Sequence, residues 1–145
     1  MASDAARVRA LVRAAYARWV PVIDREPRPM TADYDRAIVD HVIDLYEDAD
    51  ELIGLIEMVP EPAGLLVENL AVLPVHQHRG IGDALLQHAE ACARERGLTE
   101  LRLYTNAAFG SNIAFYARRG FVESRREVLA AGGELVHMTK AVGPA

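Results

Sequence analysis

The sequence predicts one α/β domain: a mixed, mostly antiparallel sheet with helices on both faces. Three observations carry that expectation. Apolar residues at helical spacing open the chain and recur in its second half. Three strand-like segments in the middle follow one another through short turns, the pattern of antiparallel hairpins. A strand–helix–strand unit comes next, which adds a parallel neighbour to the sheet. The 145 residues suffice for one core and leave no room for two, so a single domain over 1–145 is expected.

Ser3 or Asp4 can cap a first helix, in which Val8, Leu11, Val12, Ala15, Tyr16 and Trp19 recur at i, i+3, i+4 and i+7. Pro21 ends it, and 21–30 reads as a proline-containing loop. Thr31 caps a second helix with Tyr34, Ala37, Ile38 and His41 on one stripe. Residues 42–47 and 51–59 alternate as strands around an Asp48-Ala49-Asp50 turn, and 65–73 is a third strand, nearly continuously apolar except for Glu68-Asn69. Gly80 or Ile81 opens the strongest helix of the chain. Its stripe is Ile81, Leu85, Ala89 and Cys92, and Gly97 stops it. Leu98–Thr105 is a strand with Leu101, Leu103 and Thr105 on one face. Ser111 or Asn112 begins a short helix that Gly120 ends. Two strands, 121–129 and 135–141, close the chain around a turn at Ala130-Ala131-Gly132-Gly133-Glu134.

Composition narrows the function. Hydrophobic residues make up 51% and charged residues 26%, the mixture of a globular chain. A net charge of −5 argues against a nucleic-acid binder. The lone Cys92 cannot form an internal disulfide. No apolar secretory segment opens the chain, and no apolar run approaches the ~20 residues that span a bilayer. A cytoplasmic protein without membrane contact is the expectation. Residues 1–72 hold 7 basic and 14 acidic side chains, and 73–145 hold 9 basic and 7 acidic. An acidic half joined to a mildly basic one suits a site that takes a cation from one side and an anion from the other. Two ordinary solvated surfaces explain the same counts.

The chemistry concentrates in 72–86, where a buried strand runs through Gln77-His78-Arg79-Gly80-Ile81-Gly82-Asp83 into a helix. Two glycines let the backbone approach a bulky anion, and the first helical turn presents unpaired N–H groups at its positive end. That arrangement suits a phosphate or pyrophosphate. It is not a dinucleotide fingerprint, because Leu85 stands where Gly or Ala is needed, and no Gly-Lys-Ser/Thr follows.

Gln77-x-x-Gly80-x-Gly82 after Leu70-Ala71-Val72 resembles the acetyl-CoA motif of the GNAT N-acetyltransferase superfamily. Tyr116-x-x-x-Gly120-Phe121 resembles the second half of that signature, one helix and one strand later. Leu103-Tyr104-Thr105-Asn106 followed by Asn112-Ile113-Ala114-Phe115-Tyr116 resembles a bacterial subgroup of unassigned substrate. The likeness covers roughly 4–141 and implies the GNAT fold, with acetyl-CoA as acetyl donor. It implies that the backbone of Leu70, Ala71 and Val72 pairs with the pantetheine arm. His78, Arg79, Gly80, Ile81, Gly82 and Asp83 would hold the pyrophosphate, chiefly through backbone N–H, and Gln77, which opens the motif, would belong to the same cofactor site. Asn112 would contact the pantetheine or adenosine end; many relatives carry their Asn three residues earlier, where this chain has Phe109. Tyr116 would protonate the departing CoA thiolate. Glu68 matches the place where some polyamine-acetylating relatives hold a base, so it would deprotonate the amine or bind it; a salt-bridged strand residue is the other reading.

Other residues stay open. Tyr16, Trp19, Met30 and Tyr34 would line an acceptor pocket or simply pack in the core. Asp24, Glu26, Asp33 and Asp35 would form an acidic wall that favours a cationic amine, small molecule or peptide. His76 and His78 lack a matching cluster at ligand spacing, so no metal is expected, and Cys92 reads as core. The family begins with a strand before the first helix, and this sequence starts at the helix. A missing first strand or an upstream start would follow, and 42–47 would be an edge strand that a second copy could cover as a homodimer. An N-acetyltransferase is the first expectation, and a GNAT-fold acyl-CoA sensor without turnover is the alternative.

Overall fold

The computed structural model describes residues 2–23, 28–49, 51–130 and 132–143. Asp24, Glu26, Asp50 and Ala131 lie outside the described residues, as do the side chains of Ser3, Asp4, Thr31, Ile38 and Asp40. Helix α1 spans Ala2–Tyr16, so it begins before the expected caps at Ser3 and Asp4. Its stripe Ala5, Val8, Leu11, Val12 and Ala15 is buried. Pro21 does not end the helical path. A 3₁₀ turn at Ala17–Trp19 leads into a second short helix, α2, at Val20–Ile23. Proline is tolerated in a first turn, where its missing N–H would have no partner anyway. The expected loop holds a further turn, α3 at Arg28–Thr31. The next helix, α4 at Tyr34–Asp40, is capped not by Thr31 but by Asp33, whose side chain accepts a hydrogen bond from the Arg36 amide at 3.2 Å. His41 leaves the helix in extended backbone.

Six strands follow: β1 Val42–Asp48, β2 Glu51–Pro60, β3 Leu65–Val72, β4 Glu100–Asn106, β5 Val122–Val128 and β6 Glu134–Ala141. Helix α5, Ile81–Glu95, lies between β3 and β4, and α6, Gly110–Ala117, between β4 and β5. The sheet order is β1-β2-β3-β4-β6-β5, with one parallel pair, β3 and β4. One core layer packs Ile81, Leu85, Leu86, Ala89 and Ala93 of α5 against the sheet, and the other packs α1 and α4 against the opposite face. Ala93 rather than Cys92 completes the buried stripe of α5; Cys92 is half-buried at its edge.

Two irregularities of β3 open the sheet. Glu57 faces Asn69 and Met58 faces Val67, which leaves Glu68 without a partner on β2. One extra residue reverses the side-chain alternation. Leu65 and Val67 therefore pack with the α5 layer, whereas Ala71 packs with the α1 layer. In addition, β3 and β4 pair only over Leu65–Val67 and Leu101–Leu103. Beyond that, β3 stays with β2 as far as Val72 and β4 stays with β6 as far as Asn106. The sheet is thus split in its middle, starting at Glu68 and Tyr104. Among the described residues β1 pairs only with β2, and it forms one edge of the sheet.

Candidate active site

The split is flanked by two cavities that share Tyr16, Leu70, Asn112 and Tyr116 in their linings. The first is a groove that runs from Leu70 and Val72 on β3 to the amino end of α5 and across to α6. Its floor is the loop after β3. Gln77 Nε2 donates to the Val72 carbonyl at 3.1 Å and so pins the loop back to the strand. His78 and Gly80 both take positive φ, 65° and 81°, which turns the chain sharply into α5. The first helical bond is Ala84 N to Gly80 O at 3.1 Å. The amides of Ile81, Gly82 and Asp83 precede it and carry the positive end of the helix dipole. Gly82 makes room here, because a Cβ on it would stand 3.0 Å from the Phe115 ring.

The wall opposite is basic. Arg119 holds Asp83 with both ends of its guanidinium, Nη2 to Oδ2 at 2.9 Å and Nε to Oδ1. It also donates to the Phe115 carbonyl at 2.8 Å and lies over the Phe115 ring. The hydrogen bonds from Arg119 hold the Asp83 carboxyl below the usual aspartate range, and Asp83 in turn raises the Arg119 guanidinium. Arg18, His76, His78 and Arg118 line the same groove. A cradle of free amides, a glycine that opens it and a basic wall fit a pyrophosphate-bearing group.

Most of the expected site residues meet at this groove. Leu70, Ala71, Val72, Gln77, His78, Gly80, Ile81, Gly82, Asp83 and Asn112 all border it. Arg79 does not; its guanidinium turns to His76 Nδ1 at 2.9 Å. Trp19 stacks on Phe109 with centroids 4.3 Å apart, so the residue just before α6 is spent on packing against the 3₁₀ turn that follows α1. Phe109 is 4% exposed.

Tyr116 and Asn112 border both cavities. Tyr116 meets Phe115 and Phe121 edge-on, and burial pushes its hydroxyl up to about 12. That hydroxyl makes no hydrogen bond with another described residue. Beyond it, within the split, lie Glu68, Asn69, Tyr104 and Tyr16. Tyr104 donates to Glu68 Oε1 at 2.5 Å. Tyr16 donates to Asn69 Oδ1 at 3.0 Å, and Asn69 Nδ2 donates to the Tyr34 hydroxyl at 3.1 Å, which donates to the Pro29 carbonyl. This chain of bonds fixes α1, α3 and α4 to β3.

A further hollow on the α4 side shares Glu68, Asn69 and Tyr104 and adds Asp33, His41 and Glu57. Glu57 is only 4% exposed and pairs with His41 Nδ1 at 2.6 Å. Burial raises its carboxyl, and the hydrogen bond from His41 opposes that shift. Asp33 borders the hollow, whereas Asp35 pairs with Arg9 at 3.4 Å and lies outside its lining. The sequence pattern does not single out Glu57, His41, Tyr104 or Arg119 as site residues. Glu57 carries one signal, an acidic residue inside a continuously apolar strand. Arg119 carries none, because its pairing with Asp83 depends on how α6 meets α5.

The frame of the site is a mixed α/β sheet that splits in its middle, with a glycine-opened helix at the mouth of the split. Residues 40–123 match the acetyltransferase (GNAT) domain, and the chain belongs to that family. It is 36% identical over 72 residues, 48% of its length, to the spermidine N(1)-acetyltransferase of Thermoplasma acidophilum. The chain spans less than half the length of the curated relatives it matches, 44% of that one. Among solved structures, a GNAT-family protein from Desulfovibrio desulfuricans superposes with a TM-score of 0.80 at 23% identity, over 99% of this chain and 95% of the other. The PaiA N-acetyltransferase of T. acidophilum, solved with coenzyme A, superposes with a TM-score of 0.73 at 21% identity, over 96% and 93%. These two likenesses are of fold.

Proposed function

We propose that this single domain is an acetyl-CoA-dependent N-acetyltransferase acting on a cationic amine, either a small molecule or an exposed amino group of a peptide. The observation that carries the reading is the placement of Tyr116. Its free hydroxyl borders the basic groove on one side and the Glu68–Tyr104 pair on the other. A donor thioester entering from the groove and an amine entering past Glu68 would meet beside it. Acetyl-CoA, when bound, supplies the activated acetyl group. The amides of Ile81, Gly82 and Asp83 would hold its pyrophosphate, and the backbone of Leu70, Ala71 and Val72 its pantetheine, with Asn112 at the far wall.

The residues then divide the proton work. Glu68, fixed by the Tyr104 hydrogen bond, takes the proton that the ammonium must lose before it can attack. Tyr116 gives its proton to the departing thiolate. A hydroxyl raised to about 12 is protonated throughout the neutral range and is suited to the acid's part. The amine-acetylating relative supports this acceptor class. The exposed edge of β1 supports a homodimer, which sedimentation at high concentration checks. A cytoplasmic location fits an enzyme that draws on acetyl-CoA.

The test is free-thiol release from acetyl-CoA against polyamines, aminoglycosides, amino acids and peptides. Turnover is expected with at least one cationic amine. Tyr116→Phe keeps the ring and should lower turnover ~10²-fold or more while acetyl-CoA affinity holds. Tight acetyl-CoA binding without turnover on any amine would favour the sensor reading. Full activity of Tyr116→Phe would make the tyrosine structural.

A further inference from the structure

Among residues that do not line the groove, the edge strand and α5 bring three different donor groups together. His88 and Cys92 stand one turn apart on α5, four residues apart and therefore on the same face. Asp44 reaches them from β1, where its backbone is held in register opposite Ile56. His88 Nε2 lies 2.6 Å from Asp44 Oδ2 and 3.5 Å from Cys92 Sγ. One ligand atom from each residue lies within 4.8 Å of the other two. None of the three belongs to the acetyltransferase reading.

We propose that Asp44, His88 and Cys92 form a binding site for a borderline-soft divalent cation, Zn²⁺ above all, which ties the edge strand to α5. The donor set is the argument. Thiolate, imidazole and carboxylate together suit zinc, whereas magnesium and calcium take oxygen ligands. Ordinary Zn–N and Zn–S bonds at a tetrahedral angle put nitrogen and sulfur about 3.6 Å apart. The His88–Cys92 separation of 3.5 Å already matches. The His88–Asp44 hydrogen bond has to open by about 0.8 Å to admit the ion. Both side chains have that freedom, since they are 47% and 42% exposed. On binding, the Cys92 thiol releases its proton to solvent and the sulfur electron pair goes to the metal. Three protein ligands leave a fourth position for water, the ligand count of an open site rather than a closed structural one. The site depends on the fold, because the strand supplies a ligand that the helix alone lacks.

Cobalt(II) titration of the untagged protein tests this directly. Cys92 is the single cysteine, so a thiolate-to-cobalt charge-transfer band can come only from it. The expected result is that band together with the intense visible absorption of a tetrahedral site, saturating at one ion per chain. Competition should show Zn²⁺ displacing cobalt. Cys92→Ser should abolish the charge-transfer band. Asp44→Asn and His88→Gln should each weaken zinc binding by at least about 10-fold, as even loss of a supporting group around zinc does. His137→Gln, which alters a histidine on β6, should leave it unchanged. Three results would overturn the proposal: no charge-transfer band at stoichiometric cobalt, two chains per ion, or a band that survives both Asp44→Asn and His88→Gln. The titration of the parent protein decides even where a variant folds poorly.

Discussion

Arg119 neutralises Asp83 at the one place where a free carboxylate would do most harm. Asp83 lies in the first turn of α5, and Arg119 grips it from the end of α6 with two parallel donors. The pair puts one net-neutral, cation-faced unit beside the proposed pyrophosphate cradle. Arg119→Ala should therefore weaken acetyl-CoA binding twice over, by losing a cation and by freeing an anion. Asp83→Ala alone should weaken it less or not at all. The double variant should bind better than Arg119→Ala, a coupling that isothermal titration of all four proteins would measure. Additive losses would mean that the pair merely staples α6 to α5.

The same pair sets a pH dependence. The folded Asp83 carboxyl lies below its unfolded value of about 3.9. Its stabilising contribution is full above that value and is lost as pH falls through the lower, folded one. Acid unfolding of Asp83→Asn should be correspondingly flatter at the bottom of the range.

Gly82 is expected to decide donor binding by space. With a Cβ 3.0 Å from the Phe115 ring, even alanine must displace an aromatic that supports Arg119, and glutamate adds an anion to the cradle. Acetyl-CoA at a hundredfold excess over its dissociation constant should stabilise the parent by about 2.7 kcal/mol. Thermal shift of Gly82→Glu should lose that gain. NADH and ATP should give the parent far less, and equal stabilisation by NADH would sink the donor assignment.

Much of this architecture is legible in the residues alone. The six strands and α5 follow from alternation and from a clean 3.6-residue period, and the Gln77–Gly82 loop announces itself by two glycines before that period begins. Three departures have local causes. Proline usually stops a helix, yet a second short helix restarts around Pro21. Alanine at a helix surface looks neutral, so the pattern puts Cys92 in the stripe that Ala93 occupies. Thr31 and Asp33 are both cap-forming residues standing close together, and the chain uses Asp33, the stronger type of the two. The unpaired Glu68, the split beside it and the Glu57–His41 pair are not legible. Each depends on strand register, which alternation alone does not determine. The expected acidic wall divides in the same way: Asp33 borders the hollow, and Asp35 turns to Arg9.

Glu57 should show its burial as a slope in stability. Its folded carboxyl is raised, so between the unfolded value of about 4.3 and the folded one the native state holds more protons than the unfolded chain. Stability then falls as pH rises through that window. Glu57→Gln keeps an acceptor for His41 and removes the ionisation. The difference in unfolding free energy between variant and parent should shift in favour of the variant as pH rises from about 4 to 7. Urea titrations across that range measure it; a difference that does not change with pH would show that His41 fully compensates the burial.

The last prediction concerns how the acceptor is drawn in. Glu68, Asp33 and the Glu57–His41 pair border one hollow on the acceptor side, whereas the proposed donor groove is basic. A cationic amine should be attracted at range, and salt should weaken that attraction, because charges more than about 8–10 Å apart are screened at physiological ionic strength. The Michaelis constant for the amine should therefore rise with salt, while that for acetyl-CoA responds through a separate surface. Asp33→Asn is the informative variant. Asparagine caps a helix as well as aspartate does, so the Arg36 amide keeps its partner and α4 its start while one negative charge disappears. It should raise the amine Michaelis constant and reduce its salt dependence with kcat little changed. Asp35→Asn, which loses only the exposed Arg9 pair outside the hollow, should do less. A constant that ignores salt, or a preference for an anionic acceptor, would overturn electrostatic steering. Equal effects of the two variants would point instead to the field of the whole acidic half of the chain, with no special part for the residue that borders the hollow.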